Sequence, residues 1–123
     1  MEGTVLIVED EADLANLLSD VLEDAGYSVV LTTGTSAVQR AEEVKPGLIL
    51  MDYVMPGLNG AAVVARMRES LKNTLPPLVL VSGRPEVREL ARQVGADAYL
   101  YKPFDVDELL ALVHQLGGQE TRH

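Results

Sequence analysis

Short apolar runs alternate five times with stretches whose apolar residues recur at helical spacing, and this alternation constrains the fold more than any other feature of the sequence. Thr4–Val8 reads TVLIV, β-branched and apolar throughout, as suits a parallel strand buried on both faces. Leu14, Leu17, Leu18, Val21, Leu22 and Ala25 follow at helical spacing, with Asp10 or Glu11 near the start and Gly26 as terminator. Residues 28–31 then read as a strand, 36–44 as a helix and 47–51 (GLILM) as a third strand. A loop carries Pro56, Gly57 and Gly60, and residues 61–71 have helical composition. Pro76 and Pro77 introduce a strand over 78–81, and Gly95 closes a helix over 86–94. Ala98–Tyr101 is the fifth strand. After Pro103 the run DVDELLALVHQL puts Val106, Leu109, Leu110, Val113 and Leu116 on one face of a last helix.

Strands alternating with helices imply βαβ units, a parallel sheet and helices on both faces, so the expected class is α/β, doubly wound. Ligands of such sheets bind beyond the carboxyl ends of the strands, where the strand order reverses. With 123 residues, 47% hydrophobic and 24% charged, the chain fits one globular domain over residues 1–117. Residues 118–123 read as a flexible tail or linker stub. The sequence has no cysteine, which excludes a disulfide scaffold and a thiolate zinc site and is compatible with a cytoplasmic location. No apolar run approaches membrane-spanning length, and Glu9, Asp10 and Glu11 cut the first run too short for a signal peptide. A net charge of −9 disfavours nucleic-acid binding by this domain, because such affinity rests on Lys and Arg neutralising phosphates.

The residues at the strands' carboxyl ends carry the chemistry. Glu9 and Asp10 follow the first strand, Asp52 the third, Ser82 the fourth and Lys102 the fifth. The topology would gather three carboxylates, a hydroxyl and an ammonium on one edge. Crowded carboxylates repel unless a cation neutralises them, and an oxygen-only donor set suits Mg²⁺, or Mn²⁺, better than zinc. His114, on the last helix, and His123, the last residue, are ill placed to help. A carboxylate beside such a cation can attack phosphorus, and phosphoryl transfer then needs mainly positioning and charge neutralisation. Asp52 is the best nucleophile, lying between the acidic pair and Ser82 and preceding a Gly-rich loop.

Val8-Glu9-Asp10-Glu11, the stretch DYVMPGLNG from Asp52 to Gly60, Val81-Ser82-Gly83, and Gly95-Ala96-Asp97-Ala98-Tyr99 leading into Lys102-Pro103-Phe104 together resemble the receiver domains of response regulators, chemotaxis-regulator-like, over nearly the whole chain. The resemblance implies a flavodoxin-like, five-stranded parallel sheet of order 2-1-3-4-5 with five helices. It implies Asp52 as phosphoacceptor, with Asp10, Asp52 and the backbone carbonyl of Val54 binding Mg²⁺ and Glu9 acting through water. Ser82 would bind the phosphoryl oxygens, Lys102 would pair with the phosphate, and the Lys102–Pro103 bond would be cis. The donor would be a histidine kinase or phosphotransfer protein. Ser82 and Tyr99 would form a switch that reshapes an output face made by the fourth helix, fifth strand and fifth helix, for a partner the sequence does not identify.

Some positions depart from the commoner pattern or have plainer readings. Ser82 stands where the family it resembles frequently has threonine, and Val54 and Arg84 sit two residues beyond Asp52 and Ser82, at positions that in that family tune water's access to the acyl phosphate. Tyr101 is a second aromatic beside Tyr99. Taken singly, Glu9–Glu11 would be a helix-capping cluster, Asp52 a turn residue and Lys102 a surface lysine, while the Ser82 hydroxyl could serve equally as a helix cap; the combination of Asp52 with Asp10 and Lys102 reverses the turn reading. The residues speak against three other functions: a haloacid-dehalogenase-like phosphatase would carry a second Asp where Val54 stands; a flavin module would need a phosphate loop in place of the acidic one; and a receiver-like binding module that is not phosphorylated would lack the acceptor or the lysine, whereas Asp52 and Lys102 are both present. The chain can be a complete single-domain regulator or a piece of a longer regulator or hybrid kinase.

Overall fold

A computed structural model describes residues 3–55 and 58–117, so Pro56, Gly57 and the expected tail 118–123 lie outside the described residues. Five parallel strands form the sheet: β1 (Thr4–Val8), β2 (Ser28–Thr32), β3 (Leu48–Asp52), β4 (Leu78–Ser82) and β5 (Ala98–Tyr101). Their spatial order is β2-β1-β3-β4-β5, with the reversal between β1 and β3. Among the described residues the α-helices are α1 (Ala12–Asp24), α2 (Ala37–Val44), α3 (Gly60–Leu71), α4 (Val87–Val94) and α5 (Val106–Gly117).

Strand alternation divides the core in two. Leu6, Val8, Ile49, Met51, Leu78 and Leu80 point to one face and pack under α2, α3 and α4. Their sequence neighbours Val5, Ile7, Leu50, Val79, Val81 and Leu100 point to the other and meet Leu18 and Leu22 of α1 and Leu109 and Val113 of α5. β1, β3 and β4 are therefore apolar at nearly every position, because helices cover both of their sides. β5, at the sheet edge, buries Leu100 and leaves Tyr99 41% exposed and Tyr101 47% exposed.

Several expected boundaries shift, each for a local reason. β3 begins at Leu48 instead of Gly47 and extends to Asp52, which pairs with Val81; β4 likewise includes Ser82. Residues 34–36, of which 34 and 35 were expected in the loop and 36 in the helix, form a 3₁₀ turn leading into α2. Gly60 belongs to α3 and not to the preceding loop; that helix is N-capped by Asn59, whose side-chain oxygen accepts from the Ala61 N–H at 2.8 Å. Val54–Met55 and Leu58–Asn59 form a short antiparallel ladder where only a loop was expected. Leu17 and Val106 were grouped with the apolar faces of their helices but are 59% and 50% exposed. They border an open groove of about 310 Å³ between α1 and the segment after β5, which also takes in Leu14, Val21 and Phe104.

Two contacts hold the α3–α4 side. Arg68 on α3 donates through Nη2 to the carbonyls of Val94 at 2.8 Å and Gly95 at 2.6 Å, meeting the unpaired carbonyls at the end of α4. Gly95 takes a left-handed φ of +75°, the conformation that ends a helix most cheaply without a Cβ. Among the described residues no helix is long and apolar enough to cross a membrane.

Candidate functional site

The carboxyl ends of β1, β3, β4 and β5 meet at one edge because register and end contacts fix them. The Tyr53 N–H donates to the Val81 carbonyl at 2.9 Å and the Lys102 N–H to the Ser82 carbonyl at 2.9 Å. At the far end of the same strands, Asp97 Oδ2 accepts from the Leu78 N–H at 2.8 Å while the Asp97 N–H donates to the Leu78 carbonyl at 2.8 Å. That pair pins β5 against β4 and so sets where Lys102 emerges. The Lys102–Pro103 peptide bond is cis.

Asp52 ends β3 with its side chain 7% exposed, and Lys102 Nζ donates to Asp52 Oδ2 at 3.0 Å. Glu9, also 7% exposed, shares a hydrogen bond with the Asp52 carboxyl and accepts the Glu11 N–H through Oε2 at 3.1 Å. Burial, reinforced by that hydrogen bond and by the charge of Asp52, pushes the Glu9 carboxyl up to about 7. Two buried carboxylates therefore face one ammonium, an excess of negative charge that favours an added cation.

Ser82 is fully buried, and its Oγ accepts from the Arg84 N–H at 3.1 Å. It braces the turn after β4 instead of capping α4, whose N-cap is Glu86. The Arg84 side chain is drawn outward to Glu86, Nη2 to Oε2 at 3.2 Å. Asp10 is engaged elsewhere: its Oδ1 accepts from the Gly34 N–H at 3.0 Å. The edge thus brings Glu9, Asp52 and Lys102 into direct contact, with Ser82 at the end of the neighbouring strand. Among the described residues no three acidic or histidine side chains are grouped as a metal site. By donor chemistry the set still fits a hard divalent cation, since Glu9, Asp10 and Asp52 offer only oxygen.

Sequence reasoning had no signal for the roles of Gly34, Asp97 or Arg68, whose partners lie 24, 19 and 26 residues away. Gly60 carried a faint one. A Cβ there would meet the Tyr53 carbonyl oxygen at 2.8 Å, so the absence of a side chain lets α3 start directly beneath the residue that follows Asp52.

A parallel sheet of this order with a buried carboxylate–lysine pair at its switch point defines a doubly wound, flavodoxin-like domain, and comparison with known proteins narrows the class. The profile of the response regulator receiver domain matches residues 5–114. The uncharacterized transcriptional regulatory protein YkoG of Bacillus subtilis is 37% identical over 115 residues, covering 91% of this chain and 50% of that protein. Among solved structures, the chemotaxis protein CheY4 of Vibrio cholerae superposes with a TM-score of 0.85 at 28% identity, covering 94% of this chain and 99% of that one. The receiver domain of the sensor histidine kinase PA1611 from Pseudomonas aeruginosa, described with a magnesium ion coordinated in its active site cleft, has a TM-score of 0.85 at 29% identity over 96% of this chain and 99% of that one. The chain belongs to the response-regulator receiver family of two-component signalling. It spans about half the length of the curated relatives it matches.

Proposed function

We propose that this domain takes a phosphoryl group on Asp52 from the phosphohistidine of a histidine kinase or phosphotransfer protein, in a reaction that needs Mg²⁺ or Mn²⁺. The observation that carries the reading is the buried Asp52 carboxylate held against Lys102 at 3.0 Å with Glu9 at its side. An Asp52 oxygen attacks phosphorus, the P–N bond to the donor imidazole breaks and its electron pair returns to the ring, and an acyl phosphate remains. Bound beside Asp52, the cation would neutralise the transferred oxygens. Asp10, Asp52 and the Val54 backbone carbonyl are the residues to hold it, with Glu9 acting through water. Lys102 pairs with the incoming phosphate and orients it, and the Ser82 hydroxyl donates to a phosphoryl oxygen. The domain catalyses only its own phosphorylation and dephosphorylation.

Ser82 Oγ accepts from the Arg84 N–H, and Tyr99 is 41% exposed. Drawing Ser82 toward a phosphoryl group frees that N–H at the approach to α4 and opens space on the face where Tyr99 pairs with Leu80. Tyr99 then turns inward, which favours a second packing of α4, β5 and α5 as the output surface. The groove of Leu14, Leu17, Phe104 and Val106 opens beside Lys102, which supports docking of the donor next to the pocket. The domain works in the cytoplasm without touching nucleic acid itself.

Intact-protein mass after incubation with a small phosphodonor and Mg²⁺ tests this. One labile phosphoryl adduct is expected on the wild type and none on Asp52→Asn or in chelator. No adduct with any donor or metal leaves a binding module that works without phosphorylation.

A further inference from the structure

Of the three carboxylates at the strand ends, Asp10 is the one bonded to the β2–α2 junction, away from the Glu9–Asp52–Lys102 cluster. Glu9 and Asp52 share a hydrogen bond, whereas Asp10 Oδ1 accepts the Gly34 N–H at 3.0 Å, across 24 residues of sequence. Gly34 is buried and opens the 3₁₀ turn that leads into α2. That turn's N-cap, Thr33, makes no side-chain cap hydrogen bond, so Asp10 supplies an acceptor that the local sequence does not. A carboxylate is also the favoured charge at the start of a helix. Asp10 therefore has a structural post at the β2–α2 junction, and it is not grouped with Glu9 and Asp52 as a metal site.

We propose that the Gly34 N–H is the positioning group for Asp10: it parks the carboxylate on the β2–α2 junction and releases it when Asp10 turns to complete an oxygen site with Glu9 and Asp52. The inference rests on the reading of this pocket as a Mg²⁺-dependent phosphoacceptor. It has two consequences which that reading lacks. Filling the pocket loosens the entry to α2, a segment that touches neither Asp52 nor Lys102. The Gly34 bond also competes with the cation, so affinity is set partly by a backbone group on a neighbouring loop.

The first test reads the wild-type Gly34 amide by NMR in chelator and in saturating Mg²⁺. In chelator it should be protected. With Mg²⁺ its exchange should quicken about tenfold or more, the scale of one charge-assisted hydrogen bond, while the Glu9 N–H, bonded to the Thr32 carbonyl at 3.0 Å, keeps its protection. The second test removes the donor. Gly34→Pro deletes the N–H at a first-turn position where proline is tolerated, and Thr33, at φ −102° and ψ 171°, already has a conformation that a following proline accepts. Calorimetric Mg²⁺ affinity should rise about tenfold in Gly34→Pro relative to Gly34→Ala, which keeps the N–H. If Mg²⁺ shifts the amides around Glu9 and Asp52 while Gly34 stays protected, or if the two variants bind Mg²⁺ equally, the positioning role is wrong and the phosphoacceptor reading stands. If Mg²⁺ moves no amide near the pocket, the phosphoacceptor reading itself falls and takes this inference with it. Should Gly34→Pro not fold, the amide measurement decides alone.

Discussion

Replacing Glu9 by Gln should stabilise the metal-free protein at alkaline pH and hardly alter it in mild acid. Burial and the neighbouring Asp52 carboxyl raise the Glu9 pKa from 4.5 to about 7 in the folded chain. Between those values the folded state binds more protons at this group than the unfolded state, so stability falls as pH rises. The contribution of Glu9 is fully present below about pH 4.5 and lost once pH has passed about 7. At about 1.36 kcal/mol for each factor of ten, the displacement sets a ceiling of roughly 3 kcal/mol. Solvent reaching the mouth of the pocket reduces this, and we expect on the order of 2 kcal/mol. Gln keeps a donor for Asp52 and never ionises, so it escapes the loss. For a domain of this size the gain is about 6–10 °C in Tm. Because the chain lacks tryptophan, far-UV circular dichroism is the suitable probe. Wild type and Glu9→Gln would be melted in chelator between pH 5 and pH 8, and the difference between them should open across that interval. Parallel curves, with the same pH slope in both proteins, would refute the argument that an unneutralised Glu9 burdens this fold.

Further outcomes follow from the same contacts. Mg²⁺ at ten times its dissociation constant should stabilise the wild type by about 1.4 kcal/mol, and Asp52→Asn should lose most of that gain in a thermal shift measured with and without chelator. Gly60→Ala should cost about 2 kcal/mol or more in urea denaturation, since the new Cβ would lie 2.8 Å from the Tyr53 backbone oxygen and cannot be relieved by a side-chain rotation; a neutral result would mean that the start of α3 gives way easily. Arg68→Met should raise hydrogen exchange in the last turn of α4 severalfold and leave α1 unchanged, because it removes the donor to the Val94 and Gly95 carbonyls. Uniform exchange across both helices would show that the strap is not local.

The sequence was most informative where one physical force acted alone. β1 begins and ends where its apolar run does, because burial of Val5–Val8 leaves little choice of residue, and β5 keeps the expected bounds Ala98–Tyr101 although only Leu100 of it is buried. The polar set at the strand ends was legible for a related reason: Glu9, Asp52, Ser82 and Lys102 interrupt apolar runs at the sheet's carboxyl edge. Legibility failed where a residue's partner is distant in sequence or where covering neighbours run out. Leu17 and Val106 satisfy helical periodicity, yet periodicity cannot say that the space beside α1 stays open. Asn59 was missed as the cap of α3 because the flanking Pro56, Gly57 and Gly60 read as an uninterrupted loop. Asp10 was read from its neighbours as a member of the acidic cluster, and only the folded chain brings it to Gly34. Serine and tyrosine carry no mark of direction, so the brace between Ser82 and Arg84 and the outward setting of Tyr99 also required the fold.

The central claim is that Asp52, and no other carboxylate of the acidic pocket, accepts the phosphoryl group. Borohydride reduction of an acyl phosphate turns the modified carboxyl into an alcohol, homoserine from Asp and 5-hydroxynorvaline from Glu, so the protein would be treated with phosphodonor and Mg²⁺, reduced, digested and sequenced by tandem mass spectrometry. Homoserine at position 52 alone, absent when Mg²⁺ is chelated, is the predicted result; homoserine at position 10, or 5-hydroxynorvaline at position 9, in a protein whose Asp52 is intact would contradict it.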